Sequence, residues 1–154
     1  MKVGTYCKRQ FVVGEAADSL FEAASRMRRE NSEYLVVVEK QGNYVTTRGV
    51  LTSRDIVNQS ILEDIDPKTM TLADIIISEP VIAREDDDVD NIITRMSQIG
   101  IHYLPVVNNE GLLTGIFTID DLIHLLSDEL KTLKSLAGRE LPGGQALRTV
   151  LFHR

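Results

Sequence analysis

The sequence of 154 residues is short of cysteine and of long apolar runs. Its one cysteine, Cys7, cannot form an internal disulfide, which favours a reducing compartment and predicts a cytoplasmic protein. The apolar runs are only a handful of residues long, whereas a transmembrane helix needs about 20. Because the N-terminus also lacks the layout of a signal peptide, the sequence predicts no membrane segment.

Basic residues are outnumbered as well. The chain has 17 lysines and arginines against 23 aspartates and glutamates, which gives a formal net charge of −6 at pH 7. A surface of this sign repels phosphate backbones and anionic headgroups. We therefore expect neither a broad nucleic-acid interface nor binding to an anionic membrane.

Motifs for independent catalysis are not apparent. The sequence contains no P-loop, no Rossmann glycine run and no nucleophile elbow. Its histidines (His102, His124 and His153) lack the spacing of metal ligands, and Cys7 falls on an apolar position of the repeat described below, which is typical of a small buried side chain. We predict no catalytic residues, no catalytic cofactor and no metal site.

One junction, by contrast, occurs twice. Residues 49–55 read Gly-Val-Leu-Thr-Ser-Arg-Asp and residues 115–121 read Gly-Ile-Phe-Thr-Ile-Asp-Asp. In both, a glycine and two apolar residues lead to a threonine, and an aspartate follows three positions later. The pattern predicts a short strand that stops at the threonine, which caps a helix with the aspartate in its first turn.

The sequence upstream of the two junctions repeats too. Residues 34–38 match residues 103–107, and at the same spacing Met27 matches Met96 and Leu20 matches Val89. The register breaks once, because residues 39–48 are three residues longer than residues 108–114. Both stretches are rich in turn residues, so a hairpin loop can absorb the difference. One unit has therefore been duplicated.

Each unit reads as strand–helix–strand–strand–helix, which predicts an α+β fold with the helices on one face of a small sheet. Strands are predicted over 11–13, 34–38, 44–51, 80–82, 103–107 and 112–117. Helices are predicted from Asp18 or Ser19, after Thr52, after residues 86–88 and from Asp120, and a short helix leads each unit. The aspartates at 86–88 are interpreted as helix capping rather than metal binding.

The last helix carries a wide apolar stripe, whose members are Leu122, Leu125, Leu126, Leu130, Leu133 and Leu136. Part of this stripe should pack against the core, and the excess indicates a partner surface. Gly138 is expected to end the helix, and residues 138–154 are expected to form a separate tail.

Two β-α-β-β-α units that each end in Gly-x-x-Thr-x-x-Asp resemble a tandem pair of CBS (cystathionine β-synthase) domains, the unit called a Bateman module. Residues 100–107 also resemble the family's central strand and the turn before it. The resemblance covers about residues 3–136. It implies a stand-alone CBS-domain protein packed as a pseudo-twofold pair, with units over 1–64 and 72–137, a linker over 65–71 and a tail over 138–154.

The resemblance also implies two symmetry-related clefts that bind adenosine-containing ligands, such as AMP, ADP, ATP, S-adenosylmethionine or a dinucleotide. Asp55 and Asp121 would then accept hydrogen bonds from ribose hydroxyls, and Thr52 and Thr118 would bond to ribose or phosphate. Backbone groups are implied to read the adenine edge, near Val12 and Val13, Glu33 and Tyr34, Val81 and Ile82, and His102 and Tyr103. Pro105 belongs to the family's central-strand pattern, and the first unit departs from it with Val36 at that position.

The two clefts are not expected to be equivalent. Ser53 and Arg54 give the first motif a hydroxyl and a cation suited to phosphate, although Arg54 also fits a solvated helix position. The second motif places Asp120 beside Asp121, which penalises a bare phosphate. We therefore expect the first cleft to be the better phosphate site. The second is expected to be empty, to hold only the nucleoside, or to need Mg²⁺.

These features favour a regulatory module that binds an adenine nucleotide and passes a conformational change to an unknown effector protein. The last helix would carry that change and would also pair two copies into a homodimer. The alternative is a dimerisation scaffold with vestigial clefts, and nucleotide titration separates the two. An enzyme acting on the bound nucleotide is a third possibility, which would require turnover without any partner.

Overall fold

The computed structural model describes residues 1–76 and 78–139. The chain divides into two compact units, one that ends at Thr118 and one that begins with a long helix at Ile119. The first unit holds both sheets and is built from two copies of the same run of elements, while the long helix is described by itself.

The elements of the first copy are α1 (Val3–Tyr6), β1 (Val13–Glu15), α2 (Leu20–Arg29), β2 (Tyr34–Gln41), β3 (Tyr44–Thr52) and α3 (Ser53–Val57), which continues as a π-helical turn over Asn58–Leu62. Those of the second are α4 (Leu72–Ile75), β4 (Ala83–Arg84), α5 (Val89–Ile99), β5 (Tyr103–Val107), β6 (Leu113–Thr118) and α6 (Ile119–Arg139). The predicted α+β fold and element order are confirmed.

The two sheets have the same topology and the same register. Each has three strands, in the orders β1-β2-β3 and β4-β5-β6, with the first pair parallel and the second antiparallel. Tyr34 lies opposite Thr52 in the first hairpin, and Tyr103 lies opposite Thr118 in the second. Both hairpins shift register at matching places, between Val37 and Val38 and between residues 106 and 107. The duplication is thus visible in the strand pairing.

The prediction that a hairpin loop absorbs the length difference between the copies is wrong, because the longer first copy has the shorter loop and the longer strands. In the first hairpin Gln41 pairs with Tyr44, so that Gly42 and Asn43 alone form the turn, and Gly42 has a φ of 61°. In the second, a longer loop is closed by Asn108, whose Oδ1 accepts hydrogen bonds from the backbone N–H groups of residues 110 and 112. Strand β2 therefore runs further than predicted, to Gln41.

The first strand of each copy begins later than predicted. The predicted strands 11–13 and 80–82 are observed as Val13–Glu15 and Ala83–Arg84. The parallel pairing with β2 starts only at Val13, which lies opposite Val36, although the carbonyl of Val12 already accepts a hydrogen bond from the N–H of Val36. Phe11 packs by its side chain against the inter-sheet core. The apolar residues before each first strand pack by their side chains, and the prediction that they pair as strands was therefore wrong.

Helix boundaries follow the predicted caps. Ser19 begins α2 through a capping box with Glu22, and Asp88 begins α5 by accepting a hydrogen bond from the N–H of Asp90. Asn31 follows α2 with a φ of 51°, and Gly100 ends α5 with a φ of 78°. The Asp86–Asp88 run thus contributes a helix cap, and the described residues hold no group of His, Cys, Asp and Glu that could bind a metal ion.

The two leading helices are exchanged between the copies. On one side, the N–H groups of Leu72 and Ala73 donate to the carbonyls of Asp18 and Ala16, each at 2.9 Å. On the other, the equivalent N–H groups of residues 3 and 4 donate to the carbonyls of residues 87 and 85, also at 2.9 Å. Each leading helix therefore packs on the sheet of the other copy, which ties both sheets into one unit.

Two apolar clusters fill this unit. The first lies beneath α2 and includes the fully buried Leu20, Leu35 and Leu72. The second lies between the sheets, around Val36, Val38 and Ile116 with Tyr34 and Tyr103 at its edge. The rings of these two tyrosines lie 4.3 Å apart between centroids, where the two copies meet. Cys7 is 8% exposed, as expected for a small buried side chain.

Helix α6 spans 21 residues and presents a row of exposed apolar side chains. Ile123, Leu126, Leu130, Leu133 and Leu136 are each 53–61% exposed. The prediction that Gly138 ends the helix is wrong, because the helix continues to Arg139. None of the described helices is both long and apolar enough to span a membrane. The predicted tail lies outside the described residues from position 140 onward.

Candidate functional site

The end of β3 and the start of α3 form a compact polar junction. Thr52 begins α3, and its Oγ1 accepts a hydrogen bond from the N–H of Asp55 at 3.2 Å. In return, Asp55 Oδ2 accepts from the N–H of Thr52 at 2.8 Å and from its hydroxyl at 2.9 Å. These bonds use one carboxylate oxygen, so Oδ1 is the oxygen that can face a ligand.

A cavity of about 590 Å³ opens at this junction. One wall comes from the first copy and the other from the start of β5 in the second copy. The lining residues are Glu33, Val50, Thr52, Ser53, Arg54, Asp55, Gly100, Ile101, His102 and Tyr103. Six of the residues predicted from the sequence therefore meet in one cavity: Thr52, Ser53, Arg54, Asp55, His102 and Tyr103.

A second cavity of about 320 Å³ adjoins the first. The two share Val50, Asp55, Ile101 and Tyr103 as lining residues, so that Asp55 lies where they meet. The smaller cavity is lined by apolar side chains, among them Leu51, Ile75, Ile76, Pro80 and Val81, and by the polar side chains of Arg48, Gln59, Ser78 and Glu79. The pair forms one cleft with Asp55 at the junction and with both apolar and polar side chains on each side of it, which suits a ligand that has a flat base and a sugar.

Charges around the cleft are few and mixed. The larger cavity contains Glu33 and Arg54 beside Asp55, and the smaller contains Arg48 and Glu79. Neither lining includes a lysine. Arg48 also lies 3.5 Å from the carboxylate of Glu39, which offsets part of its charge. The cleft therefore does not resemble the cluster of cations that strongly anionic ligands need.

Ser53 fixes the position of Glu33 at the mouth of the larger cavity. The carbonyl of Glu33 accepts hydrogen bonds from the Ser53 N–H at 2.9 Å and from its hydroxyl at 3.2 Å. Residue 33 is thereby held beside the first turn of α3, next to Arg54. The resemblance implied only backbone groups near Glu33, and the contact of this residue with a helix that starts twenty positions later was not predicted.

Gly100 and Ile101 were also missed as lining residues. Both precede β5 and were predicted only as the turn before the family's central strand. The signal was present in the chain, since they adjoin the predicted His102 and Tyr103. Ile75 and Ile76 enter the smaller cavity only because α4 is exchanged onto the first copy, which periodicity does not reveal.

Several residues predicted around the adenine lie elsewhere or are already engaged. Val81 lines the smaller cavity, but the Val13 and Ile82 carbonyls accept hydrogen bonds from Arg26 and Arg95 at 2.6 and 2.8 Å. Val12, Val13, Tyr34, Ile82 and Pro105 line neither cavity, and Pro105 is buried in β5 opposite Ile116. Their contact with a ligand stays a prediction.

The second motif is split between the two units. Thr118 is the last residue of β6 and is 2% exposed, and Asp121 lies in the first turn of α6. The cleft expected around these two residues stays a prediction.

A third threonine–aspartate pair provides a reference for the first. Thr71 begins α4 through a capping box with Asp74 that matches the one at Thr52, with a hydroxyl-to-carboxylate distance of 2.8 Å. The Thr71 hydroxyl, helped by the Thr71 backbone N–H, lowers the pKa of Asp74. Neither residue lines the two cavities. The same capping motif thus occurs at the cleft in Thr52 and Asp55 and away from it in Thr71 and Asp74.

The fold defines a class of protein, in which two copies of one α+β repeat form a pseudo-twofold pair with a cleft between their sheets. The profile of the CBS domain matches residues 3–61 and 72–128, which cover both copies. The chain therefore belongs to the CBS domain family, as the repeated motifs suggested.

Three similar proteins illustrate the range of this family. The uncharacterized protein MK0525 of Methanopyrus kandleri is 29% identical over 81% of this chain and 62% of its own length. The CBS domain pair of protein MJ0100, solved in complex with 5′-methylthioadenosine and S-adenosyl-L-methionine, is 25% identical with a TM-score of 0.69, covering 82% of this chain and 99% of that one. The cytosolic domain of the Mg²⁺ channel MgtE, solved with ATP, is 27% identical with a TM-score of 0.66, covering 80% and 48%.

The chain spans under two thirds of the length of curated relatives that it matches, 62% and 63% in two cases. In the magnesium transporter MgtE of Thermus thermophilus it corresponds to 20% of the protein. The same pair of units thus occurs in proteins with different remaining parts.

Proposed function

We propose that this protein is a regulatory module that binds an adenosine-containing ligand in the cleft at Asp55 and passes the resulting change to a partner protein. The observation that carries the proposal is the position of Thr52 and Asp55 opposite His102 and Tyr103 across one cavity. A ligand there would contact both copies and would favour one arrangement of them over others.

The chemistry of the cleft supports a nucleoside. A carboxylate accepts hydrogen bonds from both hydroxyls of a ribose diol, and Asp55 Oδ1 is the oxygen that the Thr52 cap does not use. The apolar side chains of the smaller cavity suit a flat base, and Tyr103 can stack against it. Two similar proteins solved with adenosine compounds, the MJ0100 domain pair and the MgtE cytosolic domain, support the same class of ligand.

Thermal unfolding with and without ligand tests this proposal. AMP, ADP, ATP, S-adenosylmethionine and NAD are each titrated with and without Mg²⁺, because a ligand that binds only the folded state raises the melting temperature. The key variants are Asp55→Ala and its matched control Asp74→Ala, since each removes one capping box of the same kind. We expect both to lower the melting temperature without ligand and only Asp55→Ala to abolish the rise caused by ligand.

Other outcomes separate the alternatives. An equal ligand-induced rise in all three proteins would place the ligand outside this cleft. If no adenosine compound raises the melting temperature at millimolar concentration, the sensor proposal fails and the scaffold becomes the better function. Turnover of the bound nucleotide by the isolated protein would instead make it an enzyme.

The scaffold is the second candidate because of the apolar row on α6. Leu126, Leu130 and Leu133 are spaced four and three positions apart, which is the seam of a helix that pairs with another helix. We propose that a second copy covers this row, whichever function the cleft has. Light scattering after size exclusion should give a dimer for the wild type and for the control Ser135→Glu, and a monomer for Leu130→Glu. A dimer that survives Leu130→Glu would remove α6 from the interface.

Localisation in the cytoplasm also remains a proposal, supported by the single cysteine at position 7. Fractionation of cells that express the tagged chain tests it directly. Recovery with periplasmic or secreted markers would contradict it.

A further inference from the structure

One backbone hydrogen bond at the start of the parallel strand pair differs between the two copies. In the first copy, the N–H of Val36 donates to the carbonyl of Val12 at 2.9 Å, immediately before β1 begins. The equivalent residues of the second copy are Pro105 and Val81, at the same spacing that relates the rest of the repeat. Proline has no backbone N–H, so this bond cannot form in the second copy.

The rest of the parallel ladder is retained in both copies. The N–H of Ala16 donates to the carbonyl of Val38 at 2.8 Å. The equivalent N–H of Glu85 donates to the carbonyl of Val107 at 3.0 Å. Strand β4 nevertheless starts one position later in the repeat than β1 does, because the missing bond is the one that would pair the residue before it. The proline therefore removes one ladder bond and leaves the register unchanged.

The carbonyl of Val81 is consequently without a donor in the part of the chain that the structure describes. The next carbonyl along the chain, that of Ile82, accepts a hydrogen bond from Arg95 at 2.8 Å and is thus engaged. Val81 is half-buried and lines the smaller cavity together with Asp55 and Tyr103. Because a carbonyl that is withdrawn from water needs a donor, this acceptor is available to whatever occupies the cavity.

An unpaired acceptor beside a purine distinguishes the groups at position 6 of the ring. The amino group of adenine donates hydrogen bonds, whereas the oxo group of hypoxanthine or guanine only accepts them. An amino group therefore satisfies the carbonyl, while an oxo group brings two acceptors together and leaves both unpaired. A site that depends on such a hydrogen bond rejects an analogue that lacks the donor more strongly than an apolar pocket does.

We propose that Pro105 sets the base specificity of the cleft, because its missing N–H leaves the Val81 carbonyl free to accept a hydrogen bond from a 6-aminopurine. Pro105 is a positioning residue that acts through Val81, since it is buried in β5 and lines neither cavity. The inference rests on the proposed function, because it presumes a nucleoside in the cleft at Asp55. It also makes the two copies unequal, since the Val36 N–H already occupies the corresponding carbonyl of Val12.

Calorimetric titration with four nucleosides tests the free carbonyl. Adenosine, purine riboside, inosine and N6,N6-dimethyladenosine share the ribose and differ at position 6, and only adenosine carries an amino group that can donate there. For the wild type, we expect adenosine to bind about tenfold more tightly than each of the others, the ratio expected for a hydrogen bond to a partly buried acceptor. The same order is expected for the corresponding 5′-monophosphates.

Two variants assign the preference to the missing N–H. Pro105→Val restores the N–H with the residue type that the first copy has at position 36. It should lower the preference for adenosine over purine riboside to about threefold or less and leave the affinity for purine riboside unchanged. The control Ile116→Val alters packing at the residue opposite Pro105 and adds no donor, so it should keep the wild-type preference. Because each preference is a ratio measured on one protein, a loss of stability alone does not change it.

Equal affinities of the wild type for adenosine, purine riboside and inosine would overturn the inference and leave the proposed function in place. This result needs no variant, so the test does not depend on the folding of Pro105→Val. A full preference for adenosine in Pro105→Val would also overturn the inference, because the specificity would then not depend on the missing N–H. If neither the nucleosides nor their monophosphates bind to the wild type, the proposed function itself fails.

Discussion

The two exchanged leading segments share a backbone arrangement and differ in their side chains. The N–H of Ala73 donates to the carbonyl of Ala16, and the N–H of Gly4 donates to that of Glu85 in the same way. Ala16 carries no polar side chain. At the equivalent position, the Glu85 carboxylate accepts hydrogen bonds from Arg9 at 2.6 Å and from the Thr114 hydroxyl at 2.8 Å. Backbone geometry was thus retained after duplication while the local chemistry diverged.

The polar side chains near the two motif glycines, Gly115 and Gly49, also have different partners. Arg9 follows α1 and therefore lies beside the sheet of the second copy. It also donates to the carbonyls of Gly4 and Thr114 at 2.7 and 3.0 Å, so its guanidinium group is engaged in internal hydrogen bonds. In the first copy the residues that correspond to Arg9 and Thr114 are Ser78 and Arg48, and both line the smaller cavity. One copy therefore uses its polar groups for cohesion and the other presents them to a cavity.

The largest effect on stability should come from truncating the buried side chains of the exchanged helices. Val3 and Leu72 are equivalent positions, and both are fully buried. Leu72→Ala should lower the free energy of unfolding by about 2–5 kcal/mol, and Val3→Ala by less because fewer methyl groups are lost. Urea unfolding measures both values, and near-neutral results would mean that the leading helices contribute little.

Native-state amide hydrogen exchange on the same variants tests whether each leading helix packs on the sheet of the other copy. Val3→Ala should weaken protection mainly in β4 to β6, and Leu72→Ala mainly in β1 to β3, since each side chain packs on the sheet of the other copy. Loss of protection within the variant's own copy instead would contradict the exchanged packing.

The motif glycines should respond to alanine for different reasons. At Gly115 an added Cβ would lie 2.6 Å from Cys7 Sγ and 2.9 Å from the Lys8 carbonyl, whereas Gly49 has a φ of 151°, which disfavours any side chain. Each Gly→Ala variant should cost about 1–3 kcal/mol. Adding Cys7→Ala should recover part of the loss at Gly115, and adding Ile76→Ala should recover little at Gly49. A double-mutant cycle in urea measures the coupling, and equal recovery at both sites would reject the distinction.

The capping threonines should have similar effects on stability and different effects on binding. Thr52→Val and Thr71→Val each remove the hydroxyl of a capping box, which should cost about 1 kcal/mol. Only Thr52→Val should also weaken the binding of an adenosine ligand, measured by calorimetry. Equal affinities in the two variants would show that the Thr52 hydroxyl acts only as a cap.

The smallest expected effect is on the melting temperature at acidic pH. Hydrogen bonds from Arg9 and then from Thr114 lower the pKa of Glu85 in the folded protein below its ordinary value of 4.5. Its contribution to stability is therefore present above that value and is lost as the pH falls through the lower folded pKa. Glu85→Gln should make the melting temperature fall less steeply between about pH 5 and pH 3 than it does in the wild type. The control Glu110→Gln should leave the slope unchanged, and an unchanged slope in Glu85→Gln would remove this ion pair as a source of acid sensitivity.

Much of the fold could be predicted because it is encoded locally and twice. Ser19, Thr52, Thr71 and Asp88 act as caps within one helical turn, and the apolar spacing of α2 and α5 matches their buried faces. Repetition of the pattern then removed ambiguity, since a chance match in one copy does not recur in register in the other. The first strands were misplaced because three apolar residues cannot distinguish side-chain packing from strand pairing.

The site was less predictable, because it depends on contacts between distant segments. The motif residues at 52–55 could be found from the repeat, but Glu33 enters the cavity only through the hydrogen bonds from Ser53. Ile76 lines the smaller cavity only through the exchange of α4. The carbonyls of Val13 and Ile82 are occupied by arginines from the following helices, a use of the backbone that no sequence pattern announced.

The exchanged leading segment also constrains how the chain is completed on the ribosome. Lys8 is made long before its backbone partner, Ile116, which lies in the last strand of the second sheet. At a translation rate of about 5–20 residues per second, this segment waits roughly 5–20 s for its place. The sheet of the first copy likewise waits for Leu72 before its apolar cluster is closed. The two copies are therefore synthesised in succession but reach their final packing together.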